Sequence, residues 1–275
     1  MLEYITDKKT LSDLIFKHLG RDLLTNCYLS IKEFLDELEQ NTLVYKEFKK
    51  NLYILKERED FAILYYYICD VESAKNELEE LKSMLHYKII VTEFAYKDDP
   101  TLEEKTLKLF ESSKYYISLR RTNLENKNET YLDTTCSFDN IEWKYDFDKK
   151  EDAIRIRDFL VENFNKITGC IPTIATIENK IEANLFYVLE DISLNKIVGV
   201  LEFDLDRVST IKHLAIAQEY RGKGLGKLLV NKMINNGKGV NVWTTSNSEA
   251  EQFYKNNGFI ETGYKSIVLI NEEEW

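Results

Sequence analysis

The sequence predicts an α/β protein with mixed sheets, built as two lobes, and three observations carry that prediction. Its 275 residues exceed the usual size of one domain, and 44% of them are hydrophobic, enough for two ordinary cores. Strand-like and helix-like segments alternate in both halves rather than running in long blocks of one kind. The stretch from Ile211 to Phe259 reads as strand, glycine-rich turn, helix, strand and helix.

In the first half, glycine occurs once, at Gly20, so regular structure dominates. The apolar residues Leu11, Leu14, Ile15, His18-Leu19, then Ile31, Phe34, Leu35 and Leu38, predict two helices between Lys8 and Glu39, broken from Gly20 to Leu29. Asn51 to Leu55 and Phe61 to Cys69 predict a hairpin, with the charged residues Lys56 to Asp60 at its turn. An acidic helix follows over Glu72 to Met84, then a strand over Tyr87 to Tyr96, a helix over Thr101 to Ser112 and a strand over Tyr115 to Leu119. The polar, asparagine-rich segment from Asn123 to Thr135 reads as a linker, which sets the lobes at residues 1–135 and 141–275.

The second half starts with a strand at Ile141, a helix from Asp152 to Phe164, a break at Gly169-Cys170-Ile171-Pro172 and a helix from Ile174 to Ala183. Strands over 184–190 and 196–206 come next, then the apolar run Ile211-Lys212-His213-Leu214-Ala215-Ile216. After the turn Arg221-Gly222-Lys223-Gly224-Leu225-Gly226-Lys227, the residues Leu225, Leu228, Leu229 and Met233 keep helical spacing until Asn235-Asn236-Gly237. A strand over Val240 to Thr244, a helix after Asn247 and a last strand over Gly263 to Leu269 complete the order. Two short echoes link the halves. Leu2-Glu3-Tyr4 with Asp7-Lys8-Lys9 parallels Ile141-Glu142-Trp143 with Asp148-Lys149-Lys150, and Asn51 to Leu55 parallels Asn184 to Leu189.

Glycines at positions 222, 224 and 226 let the backbone approach a ligand with no Cβ in the way, and successive N–H groups can face one concavity. The helix behind them adds unpaired N-terminal donors and the positive end of its dipole, so the turn is built for a phosphate or pyrophosphate. Arg221, Lys223 and Lys227 add positive charge. A Walker loop is excluded, because Arg221 stands five residues before Gly226 where glycine is needed and Leu228 replaces Ser or Thr. The Rossmann spacing fails as well, since the third glycine comes one residue early and no strand with a terminal acidic residue follows at the right distance.

Arg221, Gly224 and Gly226 meet the pattern Arg-x-x-Gly-x-Gly, and Asn247, Ala250, Phe253 and Tyr254, followed by Gly258-Phe259, meet Asn-x-x-Ala-x-x-Phe-Tyr…Gly-Phe. In this order the two motifs resemble those of the GNAT superfamily of N-acetyltransferases, over residues 141 to 275. Plainer uses exist for each piece: Asn247 as a helix cap, Phe253-Tyr254 as a core face, Gly258 as a C-terminal cap. The joint spacing is what favours the family.

The resemblance implies a GNAT-like acyl-coenzyme A N-acyltransferase fold for the second lobe, with acetyl-CoA as co-substrate and an amine as acceptor. Leu214, Ala215 and Ile216 would then lie along the pantetheine arm, with backbone groups of Leu214 and Ile216 pairing to its amides as an added strand does. An N–H at or near Ile216 would polarise the thioester carbonyl. Arg221, Gly222, Lys223, Gly224, Leu225, Gly226 and Lys227 would take the pyrophosphate, Asn247 would bond the pantetheine arm, and Tyr254 would protonate the departing thiolate. The family's general-base positions, six and four residues before Ile216, hold Thr210 and Lys212 here. His213, Glu202, Asp204 and a water chain remain as alternatives.

A formal net charge of −11, spread over both halves, argues against nucleic acid as partner and favours a cationic acceptor. The absence of 18 or more consecutive apolar residues, and an N-terminus Met1-Leu2-Glu3-Tyr4 unlike a signal peptide, lead to the expectation of a soluble cytoplasmic protein without a membrane partner. Cys27, Cys69, Cys136 and Cys170 are scattered, and the only histidines are His18, His86 and His213, so no metal site is expected. Two functions stay open: an acetyl-CoA-dependent N-acetyltransferase, and a catalytically silent CoA-binding module for sensing or partner binding. The first lobe is either a GNAT-like duplicate that has lost its glycine turn or an unrelated partner-binding domain.

Overall fold

A computed structural model of the chain describes residues 1–20, 23–27, 34, 38, 41–58, 60–85, 89–97, 99–127, 139–205, 208–235 and 239–271. They form two compact units, Met1–Arg120 with Tyr264–Trp275, and Arg121–Gly263.

The first unit contains β1 (Glu3–Tyr4), α1 (Lys8–Lys17), β2 (Leu24–Thr25), β3 (Leu43–Glu47), β4 (Asn51–Glu57), β5 (Phe61–Ile68), α2 (Val71–Met84), β6 (Ile89–Lys97) and α3 (Pro100–Ser112). The strand β7 (Tyr116–Asn126) starts in this unit, and β13 (Ile260–Ile270) ends in it. Its strand order is β1-β3-β4-β5-β6-β13, antiparallel except for the parallel pair β5 and β6. Side chains of β4 alternate between two cores. Tyr53 and Leu55 pack with Leu78 of α2 and Phe110 of α3, while Leu52 and Ile54 pack with Leu11 and Leu14 of α1. A strand buried on both faces reads as an unbroken apolar run, which is why the hairpin is so legible.

The second unit contains the rest of β7, then β8 (Ile141–Lys144), α4 (Lys149–Asn163), α5 (Ile174–Glu182), β9 (Phe186–Asp191), β10 (Lys196–Leu205), β11 (Ser209–Ile216), α6 (Leu225–Ile234), β12 (Val240–Thr245) and α7 (Glu249–Asn256), followed by the start of β13. Its order is β8-β9-β10-β11-β12-β7, again antiparallel except for one parallel pair, β11 and β12. Val198, Leu201 and Phe203 of β10 pack on α6 and α7, and Ile197 and Val200 pack on α4 and α5.

The two units therefore share one topology, with the parallel pair at the same place. The echo at their starts is structural: Asp7 caps α1 by accepting from the N–H groups of Lys9 and Thr10, and Asp148 caps α4 by accepting from those of Lys150 and Glu151. The second echo pairs the wrong strands, since Asn51–Glu57 is third in its sheet, the place that β10 holds in the other, whereas Asn184 leads into β9. In each unit the sixth strand is the segment that follows the other unit's last helix: β13 pairs β6, and β7 pairs β12.

The units divide inside β7 and β13, not at 135–141. Asn123 to Asn126, expected to open a linker, is strand. The asparagines that give it the look of a loop are buried and bonded, with Asn123 Nδ2 donating to Asn241 Oδ1 at 2.7 Å and Asn126 Nδ2 to the Asn257 carbonyl at 3.1 Å. Residues 128–135 of that expected linker lie outside the described residues, as does most of the expected helix over Ile31 to Leu38. β2 and β3 have no counterpart in the sequence expectation; each is short and carries too few apolar residues to show a period. Among the described residues no helix is long and apolar enough to cross a membrane, and no cluster of metal-ligating side chains occurs.

Candidate active site

The site starts from an incomplete strand pairing. β10 accompanies β11 as far as Ile216, but β12 pairs with β11 only over Ser209, Thr210 and Ile211. Beyond Ile211, that edge of β11 has no strand beside it among the described residues. The Ala217 N–H bonds the Val198 carbonyl at 2.9 Å, and antiparallel alternation then turns the peptide groups of Ile216 and Leu214 toward the open edge. The peptide groups of Ala215 face β10 instead, and its side chain is buried with α4 and α5. A bulge precedes this stretch: Glu202 pairs with His213 and Phe203 with Ile211, so Lys212 is the extra residue.

The turn at the end of β11 is open in the way the glycines demand. Gly222 and Gly224 have φ of 76° and 89°, left-handed values that favour glycine, and a Cβ built on either meets no atom within 4 Å. Gly224 is the N-cap of α6, and no side chain caps that helix. The first N–H donors of α6 are thus left without a side-chain cap at the positive end of the dipole. Lys223 and Lys227 are exposed beside them. Arg221 anchors the turn instead. Its Nε donates to the Ile216 carbonyl at 2.9 Å and its Nη2 to Asn163 Oδ1 at 3.0 Å, tying the turn to β11 and to α4. These features fit a diphosphate at the turn and a polar, extended arm along Leu214 and Ile216.

Asn247 is exposed with φ of 57°, and its side-chain amide makes no hydrogen bond among the described residues. The cap of α7 is its neighbour Ser248, whose Oγ accepts from the Glu251 N–H at 3.1 Å. Replacing Ser248 by alanine is expected to lower stability by about 1 kcal/mol in a denaturant titration. Tyr254 lies in the core with Leu225 and Leu229, flanked by Phe253 and Phe259 at ring-centroid distances of 5.2 Å each. Burial pushes its phenol well above the usual value, so it stays protonated across the neutral range. Its hydroxyl has no hydrogen-bond partner among the described residues.

The candidate bases are engaged elsewhere. Glu202 Oε2 contacts His213 Nδ1 at 2.6 Å, and its Oε1 accepts from Lys180 Nζ at 2.5 Å. His213 Nε2 donates to the Gly169 carbonyl at 2.6 Å, and the ring packs edge-on against Phe164. Lys180 also reaches Asp204 at 2.7 Å, and Asp204 reaches Lys212 at 3.2 Å. Burial alone would raise the Glu202 carboxyl, but the His213 hydrogen bond and the Lys180 charge outweigh it and hold it below the usual range. Asp204 is held low in the same way, with burial opposed by Lys180 and Lys212, and Lys180 is held above its usual range by both carboxylates against its own burial. This buried network is the part of the site that sequence reasoning missed, because Lys180, Glu202 and His213 stand on separate elements and no spacing joins them.

Comparison with known proteins bears on the family and the fold. Residues 182–261 match the family model of the acetyltransferase (GNAT) domain. The fold is similar to that of a GCN5-related N-acetyltransferase from Sphaerobacter thermophilus, at TM-score 0.62 and 12% identity over 88% of this chain and 85% of that one. It is also similar to a tandem GNAT protein from the clavulanic acid biosynthesis pathway, at TM-score 0.60 and 10% identity over 100% of both chains. A GNAT-family acetyltransferase from Colwellia psychrerythraea aligns at TM-score 0.52 and 14% identity over 98% of both chains. No curated protein matches the sequence. Residues 182–261 therefore carry a GNAT acetyltransferase domain, within a chain whose fold is that of GNAT proteins, tandem ones included.

Proposed function

We propose that the second unit is an N-acetyltransferase that moves an acetyl group from acetyl-CoA to a primary amine by direct attack in a ternary complex. Family and fold support acyl transfer in general. The observation that carries the finer reading is the open edge of β11 running into an uncapped helix N-terminus with two left-handed glycines. Acetyl-CoA brings the activated acyl group as a thioester. Leu214 presents its peptide groups and Ile216 its N–H along the open edge, the Ile216 carbonyl being held by Arg221. The N–H of Ile216 or a neighbour would polarise the thioester carbonyl, and the turn with Lys223 and Lys227 would receive the diphosphate. Asn247 offers a free amide to the same arm.

Tyr254 supplies the proton for the leaving thiolate. Burial holds the phenol in its protonated form across the neutral range, so its O–H is available to donate to the sulfur as charge develops there. Because Glu202, His213 and Asp204 are held in ion pairs and hydrogen bonds, the amine loses its proton to water rather than to a side chain. The acidic balance of the chain favours a cationic acceptor, such as a polyamine or a lysine side chain. The same engagement of the candidate bases favours a second reading, a CoA-binding module without catalysis.

Free-thiol release from acetyl-CoA with a panel of primary amines separates the two. Wild type is expected to release thiol with at least one amine. Tyr254→Phe is expected to lower kcat about 100-fold with little change in KM for acetyl-CoA. Unchanged kcat would remove Tyr254 from the chemistry, and saturable binding without release by any amine would favour the silent module.

A further inference from the structure

The first unit has the same divergence of strands as the second, but there it is filled by the chain itself. β6 pairs with β5 only over Phe61, Ala62 and Ile63, and β4 accompanies β5 on its other edge as far as Ile68. The edge left open beyond Ile63 is taken by β2, which pairs antiparallel with β5 at Leu24↔Ile68 and Thr25↔Tyr67. Asn26 completes the filling with a buried side chain. Its Oδ1 accepts from the Tyr66 N–H at 2.8 Å, and its Nδ2 donates to the Leu64 carbonyl at 2.9 Å and to Thr92 Oγ1 of β6 at 3.0 Å. One amide thus spans the gap between the two parallel strands. Thr25 Oγ1 donates to the Tyr66 carbonyl at 2.7 Å.

The helix end beside this gap is closed as well. Asp70 is the N-cap of α2, with its carboxylate accepting from the Ser73 N–H and paired with Lys50 at 3.0 Å. Asn51 Oδ1 accepts from the N–H groups of both Cys69 and Asp70, each at 2.9 Å. A negative side chain at the helix N-terminus and two occupied donors leave no place for a second anion.

We propose that the segment Leu24–Asn26 is a built-in substitute for the arm of an acyl-CoA, so that the first unit takes no acyl-CoA and the chain binds one molecule, in the second unit. The amide of Asn26 and the hydroxyl of Thr25 make the strand-edge hydrogen bonds that a pantetheine amide makes when it adds as a strand, and Asp70 stands where a diphosphate would. The proposal rests on the acyl-CoA reading of the second unit only for its stoichiometry.

Two measurements test it. Calorimetric titration of the full chain with acetyl-CoA is expected to give one site per chain, and Gly224→Glu to leave none. Two sites, or one that survives in Gly224→Glu, would overturn the proposal, whereas no binding in wild type would overturn the reading of the second unit instead. Hydrogen exchange needs no cofactor and decides the filled cleft in either case. The Tyr66 amide is expected to be protected in wild type and to exchange about ten-fold faster in Asn26→Ala, the equivalent of one hydrogen bond, with the Ile54 amide unchanged. Thr25→Val serves as a second variant if Asn26→Ala does not fold. Exchange of Tyr66 in wild type at the rate of an open amide would overturn the proposal.

Discussion

Gly224→Glu is expected to weaken acetyl-CoA binding by at least about 100-fold while leaving the fold intact, as read by calorimetry and by circular dichroism. Position 224 is exposed, and a Cβ there meets nothing within 4 Å, so the side chain does not collide with the protein. It does force a non-glycine residue to φ near 89°, at roughly 1 kcal/mol or somewhat more, which a modest fall in melting temperature would report. The larger effect is on the ligand. A carboxylate at the N-cap of α6 sits where the diphosphate is proposed to bind and adds like-charge repulsion beside donors that it can also bond itself. Two powers of ten correspond to about 2.7 kcal/mol, within reach of the two effects together. Gly224→Ala carries the strain without the charge, and a much smaller loss of affinity in that variant separates them.

The second large effect is on stability. Glu202→Ala leaves Lys180 without its shortest ion pair and His213 Nδ1 without its carboxylate, deep in the second unit, and is expected to destabilise it by about 3–5 kcal/mol in a denaturant titration. Glu202→Gln keeps the shape and one acceptor and is expected to cost less. The network also predicts how stability changes with pH. The Glu202 carboxyl is held below its ordinary value of 4.5 in the folded state, so its contribution is fully present above that value and fades as pH falls through the folded pKa. Asp204, held below its ordinary 3.8, acts in the same direction. The wild type is therefore expected to lose stability below about pH 4.5, and Glu202→Ala to show a flatter profile there. An identical acid profile in the variant would show that the network does not govern acid unfolding.

How much of this is legible in the sequence follows from the physics of each piece. The helices α2, α3 and α6 and the β4–β5 hairpin are readable because burial on a fixed face forces periodicity. β7 is not, since its asparagines bond to partners more than 100 residues away and look like loop residues when read locally. The glycine turn is legible because it works through the backbone, and only a few residue types permit its conformation. Gly222 and Gly224 take the left-handed conformation and Lys223 and Lys227 are exposed, as the proposed anion site requires, while Arg221 proves to be an anchor of the turn and Ala215 faces away from the open edge. The sequence offers Asn247 as the cap of α7, but Ser248 provides it, which leaves the Asn247 amide free. Nothing in the local pattern announces Asn26, whose use depends on two strand edges that come together only in the folded unit.

A crystal structure of the chain with coenzyme A would put the site to the test without any knowledge of the acceptor. The expected result is a single molecule in the second unit, its diphosphate about 3 Å from the first N–H groups of α6 and its arm bonded along Leu214 and Ile216. Coenzyme A bound in the first unit, or away from β11 in the second, would contradict the proposed function.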